Sequence, residues 1–320
     1  MEKNNWYNFF MENLHEIFPK NVQLTQELMD LLCLEREAVY RRLRKDVIFH
    51  ANEVIKIASA WNISLDEIVG INSHGISFQM QLLNFLTPSK RETYNLKKRI
   101  NALDFLNTTH YSEFMEICNR IPRPLCAGFP NMFRFKIFDW EYLYYQNEIL
   151  KPFSQIIIPK KIAQEFDHYK KNMLSVTDSH FILDPNIIEY FVQSIQYYHS
   201  ISLISDEEKA ILKIELLDFL DYFGEIAYHG HYPETGNKAS LYISKIYIDT
   251  NYSYLYCENL KTCRIHAFGQ YDIVSSELNM VNDFRTWMNL KKRSAIQITE
   301  ANEKYRIEYI SKQRYIINGL

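Results

Sequence analysis

The stretch LLCLEREAVYRRLRKD, residues 31–46, places Arg36, Arg41, Arg42, Arg44 and Lys45 within ten residues, interleaved with Val39 and Leu43. The chain around it has 320 residues and a formal net charge of −3, so this cluster is a local departure from a mildly acidic whole. A run of charge is usually a solvated helix face. The other reading is a helix whose exposed side is built to meet phosphates and base edges, and that requires a second helix to present it. A helical wheel at about 100° per residue sorts the stretch: Arg36, Glu37, Tyr40, Arg41 and Arg44 share a wedge of roughly 140°, while Ala38, Val39, Arg42 and Leu43 take the other side. Arg42, on the inner side, is expected to be structural, snorkelling or pairing with a carboxylate.

The flanking sequence supplies the other helices. Trp6, Phe9, Phe10, Leu14, Ile17 and Phe18 recur at three- and four-residue steps, the spacing of one helix face. Thr25 is expected to cap a second helix with Leu28, Leu31 and Leu32 as its buried stripe. Cys33 and Leu34 then fall at a tight turn before the basic helix. A fourth helix is expected near His50 to Trp61, with Val54, Ile55, Ala58 and Trp61 facing inward. A fifth carries a capping box, Ser64 with Glu67, and a hydrophobic staple between Ile63 and Ile68. GINSHGIS, residues 70–77, reads as a linker.

Helix, turn, basic helix and two supporting helices ending in ASAWNISLDEIVG, residues 58–70, resemble the Cro and lambda-repressor type of helix-turn-helix family over roughly residues 5–70. The resemblance is carried by Leu24, Thr25, Gln26 and Leu28 in the second helix, Leu34 at the turn, Val39 as the buried anchor of the third, and the run from Ile63 to Ile68. Three positions depart from the pattern: Cys33 where glycine is common, Glu35 where a Ser or Thr cap is common, and Lys45 where glycine often follows the recognition helix. The resemblance implies binding to double-stranded DNA through Thr25, Gln26, Arg36, Glu37, Tyr40, Arg41, Arg44 and Lys45. Arginine can read guanine or hold phosphate, Tyr40 can pack on sugar or a thymine methyl, and Glu37 can accept from cytosine N4 or orient an arginine.

The remainder is globular by composition, with 47% apolar, 23% charged and 15% aromatic residues. Five scattered cysteines argue against a disulfide framework or a zinc ribbon. The eight glycines form no GxGxxG, GxxxxGK[ST] or GxSxG pattern, and HExxH is absent, so neither an enzyme nor a cofactor is expected. The acidic, amphipathic start and the lack of a long apolar run lead to the expectation of a cytoplasmic protein without a membrane segment.

From residue 79 to about 230 the pattern reads as mostly helical. Asp184 and Pro185 read as an N-cap and first-position pair, and Ser205 with Glu208 as a capping box, which together give antiparallel helices near 185–200 and 206–228. After HGHYPETGNK, the segments SLYISKIYID, SYLYCEN and TCRIHAF read as antiparallel strands. A helix near 276–290 follows, then a segment over 301–316 in which helix and strand periods compete. The expected fold is mostly α with an α+β C-terminal part: a five-helix helix-turn-helix domain over 1–75, a helical middle region, and a small antiparallel sheet within a regulatory or dimerisation domain over 79–320. A candidate sub-boundary lies near 232–240.

Smaller constellations have ordinary readings. Asp221, Glu225, His229 and His231 have metal-ligand chemistry, yet histidine near a helix C-terminus is equally explained by the helix dipole, and no metal is expected. Cys126, near Arg120 and Arg123, is a candidate redox-sensitive thiol against the commoner buried cysteine. Phe133, Phe135, Phe138, Tyr142 and Tyr145 read as core. The function expected is sequence-specific DNA-binding transcription regulation by a homodimer whose C-terminal domain meets an effector or protein partner. Two alternatives belong to other classes: a metal-dependent enzyme in the C-terminal domain, targeted by the front module, and a protein-interaction module without DNA affinity.

Overall fold

A computed structural model describes residues 5–61, 63, 65, 78–80, 100, 110–144, 151–267 and 271–320. The chain divides into two compact units, Met1–Ser77 and Phe78–Leu320. In the first, α1 (Asn5–Ile17), α2 (Asn21–Leu32), α3 (Arg36–Leu43) and α4 (Ala51–Trp61) each contribute to one core, through Phe10 and Leu14, Leu24 and Leu28, Val39, and Ile57. Phe49, in the loop before α4, closes that core edge-on to Phe10 at 5.9 Å between ring centroids.

Two expectations for this unit are corrected. Helix α2 starts at Asn21 with Lys20 as its N-cap, so Thr25 is not a cap. The apolar stripe reaches back to Leu24, and Thr25 sits one turn inside the helix, 2% exposed, its hydroxyl donating to the Asn21 carbonyl at 2.7 Å. Ile55 faces solvent; Val54, Ile57 and Ala58 are the buried side of α4. Ser64, Glu67 and Ile68 of the expected fifth helix, and the linker at 70–77, lie outside the described residues. Ile63 and Leu65 pack partly buried against the core.

Among the described residues the second unit is built on a mixed sheet of eight strands in the order β1 (Gln79–Met80), β7 (Tyr271–Ser275), β6 (Lys261–Ala267), β5 (Tyr252–Cys257), β2 (Ser112–Cys118), β3 (Asp178–Leu183), β4 (Lys238–Ser244), β8 (Ala295–Gln297). Strands β2, β3 and β4 are parallel, and the other pairings are antiparallel. The crossover from β2 to β3 carries α5 (Arg123–Cys126), α6 (Pro130–Tyr144) and α7 (Lys160–Leu174), and that from β3 to β4 carries α8 (Ile187–Ser200) and α9 (Asp206–His229). Helix α10 (Leu278–Lys291) lies between β7 and β8, and α11 (Glu303–Asn318) ends the chain. Alternation along the strands builds two cores. Phe114, Phe181 and Leu241 share one with the large helical layer, whereas Met115, Ile117 and Ile182 meet Val281, Phe284 and Met288 of α10 on the opposite face.

The sheet is therefore larger than the small antiparallel one expected, and it is mixed. Its central strands β2 and β3 come from the segment read as helical. SEFMEIC and DSHFIL are buried along nearly their whole length, and such short strands lack the alternation that marks a half-exposed one. The candidate sub-boundary at 232–240 falls inside this sheet, because β4 pairs along its length with β3. The Ser205–Glu208 capping box is present at the start of α9. Asp184 does not cap α8 directly: Asn186 is the N-cap, and Asp184 Oδ1 accepts its N–H at 2.9 Å. The closing segment is helical, and α11 packs on α9 through Tyr309 and Phe223 and an ion pair between Arg314 and Asp221.

Near the start of the parallel strands a polar group ties α10 to the sheet. Buried Glu113 accepts from the Tyr254 hydroxyl at 2.5 Å and from Arg285, whose guanidinium also lies 4.6 Å from the Tyr256 ring centroid. On the neighbouring strand His180 approaches Asp178 at 3.2 Å. Burial, aided by nearby Lys292, pushes the His180 pKa down to about 4, so this imidazole is neutral at pH 7. Among the described residues no helix is long and apolar enough to cross a membrane.

Candidate nucleic-acid interface

Helices α2 and α3 are joined by a three-residue turn whose geometry is set by Cys33. This residue ends α2 in the left-handed conformation, φ 54°, with its N–H directed to the Met29 carbonyl. Leu34 N–H also donates to Met29, at 3.2 Å, and Glu35 is extended, starting α3 without a side-chain cap. A second left-handed residue, Lys45 at φ 65°, reverses the chain after α3. In this left-handed conformation a Cβ costs roughly 1–2 kcal/mol. Replacing Cys33→Gly is expected to stabilise the first unit by about 0.5–1 kcal/mol, the strain relief less the extra freedom of glycine in the unfolded chain. Urea denaturation measures this, and a loss of stability would contradict the strained turn.

Helix α3 divides as its sequence predicts. Val39 is fully buried, Arg42 is 9% exposed, and Arg36, Glu37 and Arg41 are exposed, with Tyr40 half-buried between them. Arg36 lies against the next turn of the helix: its Nη2 donates to the Tyr40 hydroxyl at 3.1 Å, with the guanidinium 5.4 Å from that ring's centroid. Arg44 pairs with Glu37 at 3.1 Å and with Asp46 at 3.2 Å, and all three side chains are more than half exposed. Ion pairs of this kind contribute about 0–1 kcal/mol and exchange readily for a phosphate. Lys45 Nζ donates to Asn8 Oδ1 at 2.5 Å. On α2, Gln26 is exposed and bonded to Asp30 at 3.2 Å. Thr25, also expected at the interface, points into the core and presents nothing to solvent.

Arg42 holds this arrangement together from within. Its Nε and Nη2 donate to the two carboxylate oxygens of Glu53 at 2.9 and 2.8 Å, and Nη1 donates to the Ala38 carbonyl at 3.1 Å. Glu53 also accepts the His50 N–H at 2.9 Å, at the start of α4. Burial alone would raise the Glu53 pKa, but the bonds from Arg42 and His50 outweigh it and hold the carboxyl below its usual value. A depressed carboxylate stabilises the fold above its unfolded pKa, and the gain is lost as pH falls through the lower folded value. Arg42→Ala is therefore expected to cost about 3 kcal/mol at pH 7, the low end for a pair at 11% and 16% side-chain exposure. The difference from wild type shrinks at pH 3, as urea unfolding at the two pH values would register.

Of the candidate metal ligands, His229 and His231 meet, with ring centroids 5.5 Å apart. Asp221 is paired with Arg314 on α11, and among the described residues no three His, Cys, Asp or Glu side chains converge to hold a metal ion. His229 and His231 flank Gly230, which closes α9 at φ 74°. Cys126 is buried, and burial pushes its thiol pKa up to about 11, the reverse of what a redox-sensitive thiolate needs. Phe133, Phe135 and Phe138 belong to the core; Tyr145 lies outside the described residues. No protein-family model, curated protein or solved structure matches the chain.

Proposed function

We propose that the chain is a sequence-specific DNA-binding transcriptional regulator. Its first unit lays α3 in the major groove, and its second unit senses an effector or pairs two copies. The observation that supports this reading is the sorting of α3: Arg36, Tyr40 and Arg41 outward, Val39 and Arg42 anchored inward, behind a helix joined by a tight left-handed turn. The mechanism is binding rather than chemistry. Arg36 and Arg41 supply base or phosphate contacts, Arg44 and Lys45 supply charge at the helix end, and release of counterions from neutralised phosphates makes the affinity fall steeply with salt.

Selection of the full chain against a random duplex pool tests the reading, and a palindromic product with half-sites about 34–36 Å apart would mark a dimer. On the selected duplex, Arg36→Ala and Arg41→Ala are each expected to lose about 1–3 kcal/mol where the side chain reads a base. Binding by the double variant equal to wild type, with both folded by circular dichroism, would overturn the assignment.

A further inference from the structure

At its carboxyl end β2 leaves the sheet through Asn119, Arg120 and Ile121, and this strand is where the strand direction changes: it runs parallel to β3 and antiparallel to β5. Crevices outside the carboxyl ends of parallel strands are where open α/β sheets hold ligands. Two concavities occupy this place, and they share Arg120, Ile121 and Lys136. One, of about 250 Å³, is walled mainly by apolar and aromatic groups, among them Met132, Phe135, Trp140 and Phe191. The other is polar, and its described lining has Arg120, Arg123, Lys136 and Arg264 with Glu116 and Asp272, four cationic groups against two carboxylates.

His266 also lines the polar part. Its Nδ1 lies 3.2 Å from Asp272 Oδ1, its side chain is 11% exposed, and its Nε2 has no hydrogen-bond partner among the described residues. A buried nitrogen left in this state calls for a polar atom from a ligand or water. Lys136 Nζ stands 4.9 Å from the centroid of the Trp140 ring, which sets a cation at the border between the two parts. On the apolar side the described lining includes one carboxylate, Asp139. It accepts the Tyr198 hydroxyl at 2.6 Å, and burial raises its pKa, which weakens its hold on a cationic ligand.

We propose that the apolar pocket, with the cations it shares with its polar neighbour, binds a small organic anion with an aromatic or apolar body, the anionic head between Arg120 and Lys136 and the body against Trp140 and Phe135. A cavity of roughly 150 Å³ accepts benzene. The present one then admits a ring with a short chain, on the order of ten heavy atoms. The inference deepens the sensing role proposed for the second unit and rests on that reading, but its test does not depend on DNA: failure of the first unit to bind a duplex leaves the titration below unchanged.

Calorimetric titration of the full chain with 3-phenylpropanoate, phenyl phosphate and the uncharged 3-phenylpropanamide is the test. At least one of the two anions is expected to bind saturably with one site per chain, and the amide at least tenfold more weakly. A preference for the carboxylate or for the phosphate ester identifies the head group, and either supports the proposal. Ser194→Phe, which puts a ring into the apolar part, is expected to weaken binding at least tenfold with little change in melting temperature. If that variant does not fold, Lys136→Gln gives the corresponding loss from the head-group side. No saturable binding of either anion, binding of the amide as tight as that of the anions, or unchanged affinity in the folded variants would overturn the proposal.

Discussion

Val39→Asp is expected to abolish the fold of the first unit and leave the second intact. Val39 is fully buried on the inner side of α3, in one core with Leu24, Leu28 and Ile57. A carboxylate there has no cation to meet, because the nearest inward-facing guanidinium in the sequence, Arg42, has its Nε and Nη2 bonded to Glu53 and its Nη1 to Ala38. The substitution removes an apolar anchor and buries a charge, a cost of about 4 kcal/mol or more. At roughly 0.05–0.15 kcal/mol per residue, a unit spanning Met1–Ser77 has a total stability of about 4–12 kcal/mol, so the substitution takes most or all of it. Hydrogen exchange read by mass spectrometry separates the two units: amides of α2 and α3 lose protection, and those of β2 and β3 keep it. Retained protection in α3 would mean that Val39 is not the anchor described.

Phe181→Ala carries the largest expected effect in the second unit, about 4 kcal/mol of stability, in the range for deleting a buried aromatic ring. Phe181 is fully buried at the centre of β3, 5.9 Å from the Phe114 ring on β2, and between strands paired on both sides. A central strand cannot move to close the cavity without breaking two ladders, so relaxation recovers little. Ile214→Ala, on the exposed side of α9 at 60% exposure, is expected to change stability by about 0.5 kcal/mol or less. Urea denaturation followed by circular dichroism compares the two, and a cost below about 1 kcal/mol for Phe181→Ala would deny β3 its place in the core.

That strand shows where local reading ends. DSHFIL and SEFMEIC are short, and the three polar residues in each do not alternate with the apolar ones, so periodicity does not separate a buried strand from a helix segment. What makes them strands is each other: Glu113 stands opposite Asp178 and Phe114 opposite Ser179, each pair 65 positions apart in the chain with α5, α6 and α7 between them. The strands at 252–267 were legible because antiparallel neighbours close in sequence carry alternation and turn residues with them, whereas β4, read as antiparallel, pairs parallel with the distant β3. Thr25 shows the same limit on a smaller scale. Its capping chemistry suited a helix start, but the core that Leu24 and Leu28 complete drew the helix back to Asn21 and turned the hydroxyl inward.

The sorting of α3 needed only the sequence. Its outward Arg36, Glu37 and Arg41 and inward Val39 and Arg42 follow from a fixed rotation of about 100° per residue, and the Ser205–Glu208 box follows from the reach of two side chains across one helical turn. Tertiary structure alone decided the rest: Glu53 as Arg42's partner, Arg314 as the group that takes Asp221, and the pocket at the end of β2, assembled from 120–126, 132–143 and 187–194. No single segment contains that pocket's chemistry. Local periods are written along the chain by backbone geometry, whereas convergence of separate segments arises only when the sheet orders its strands and the helices pack on it.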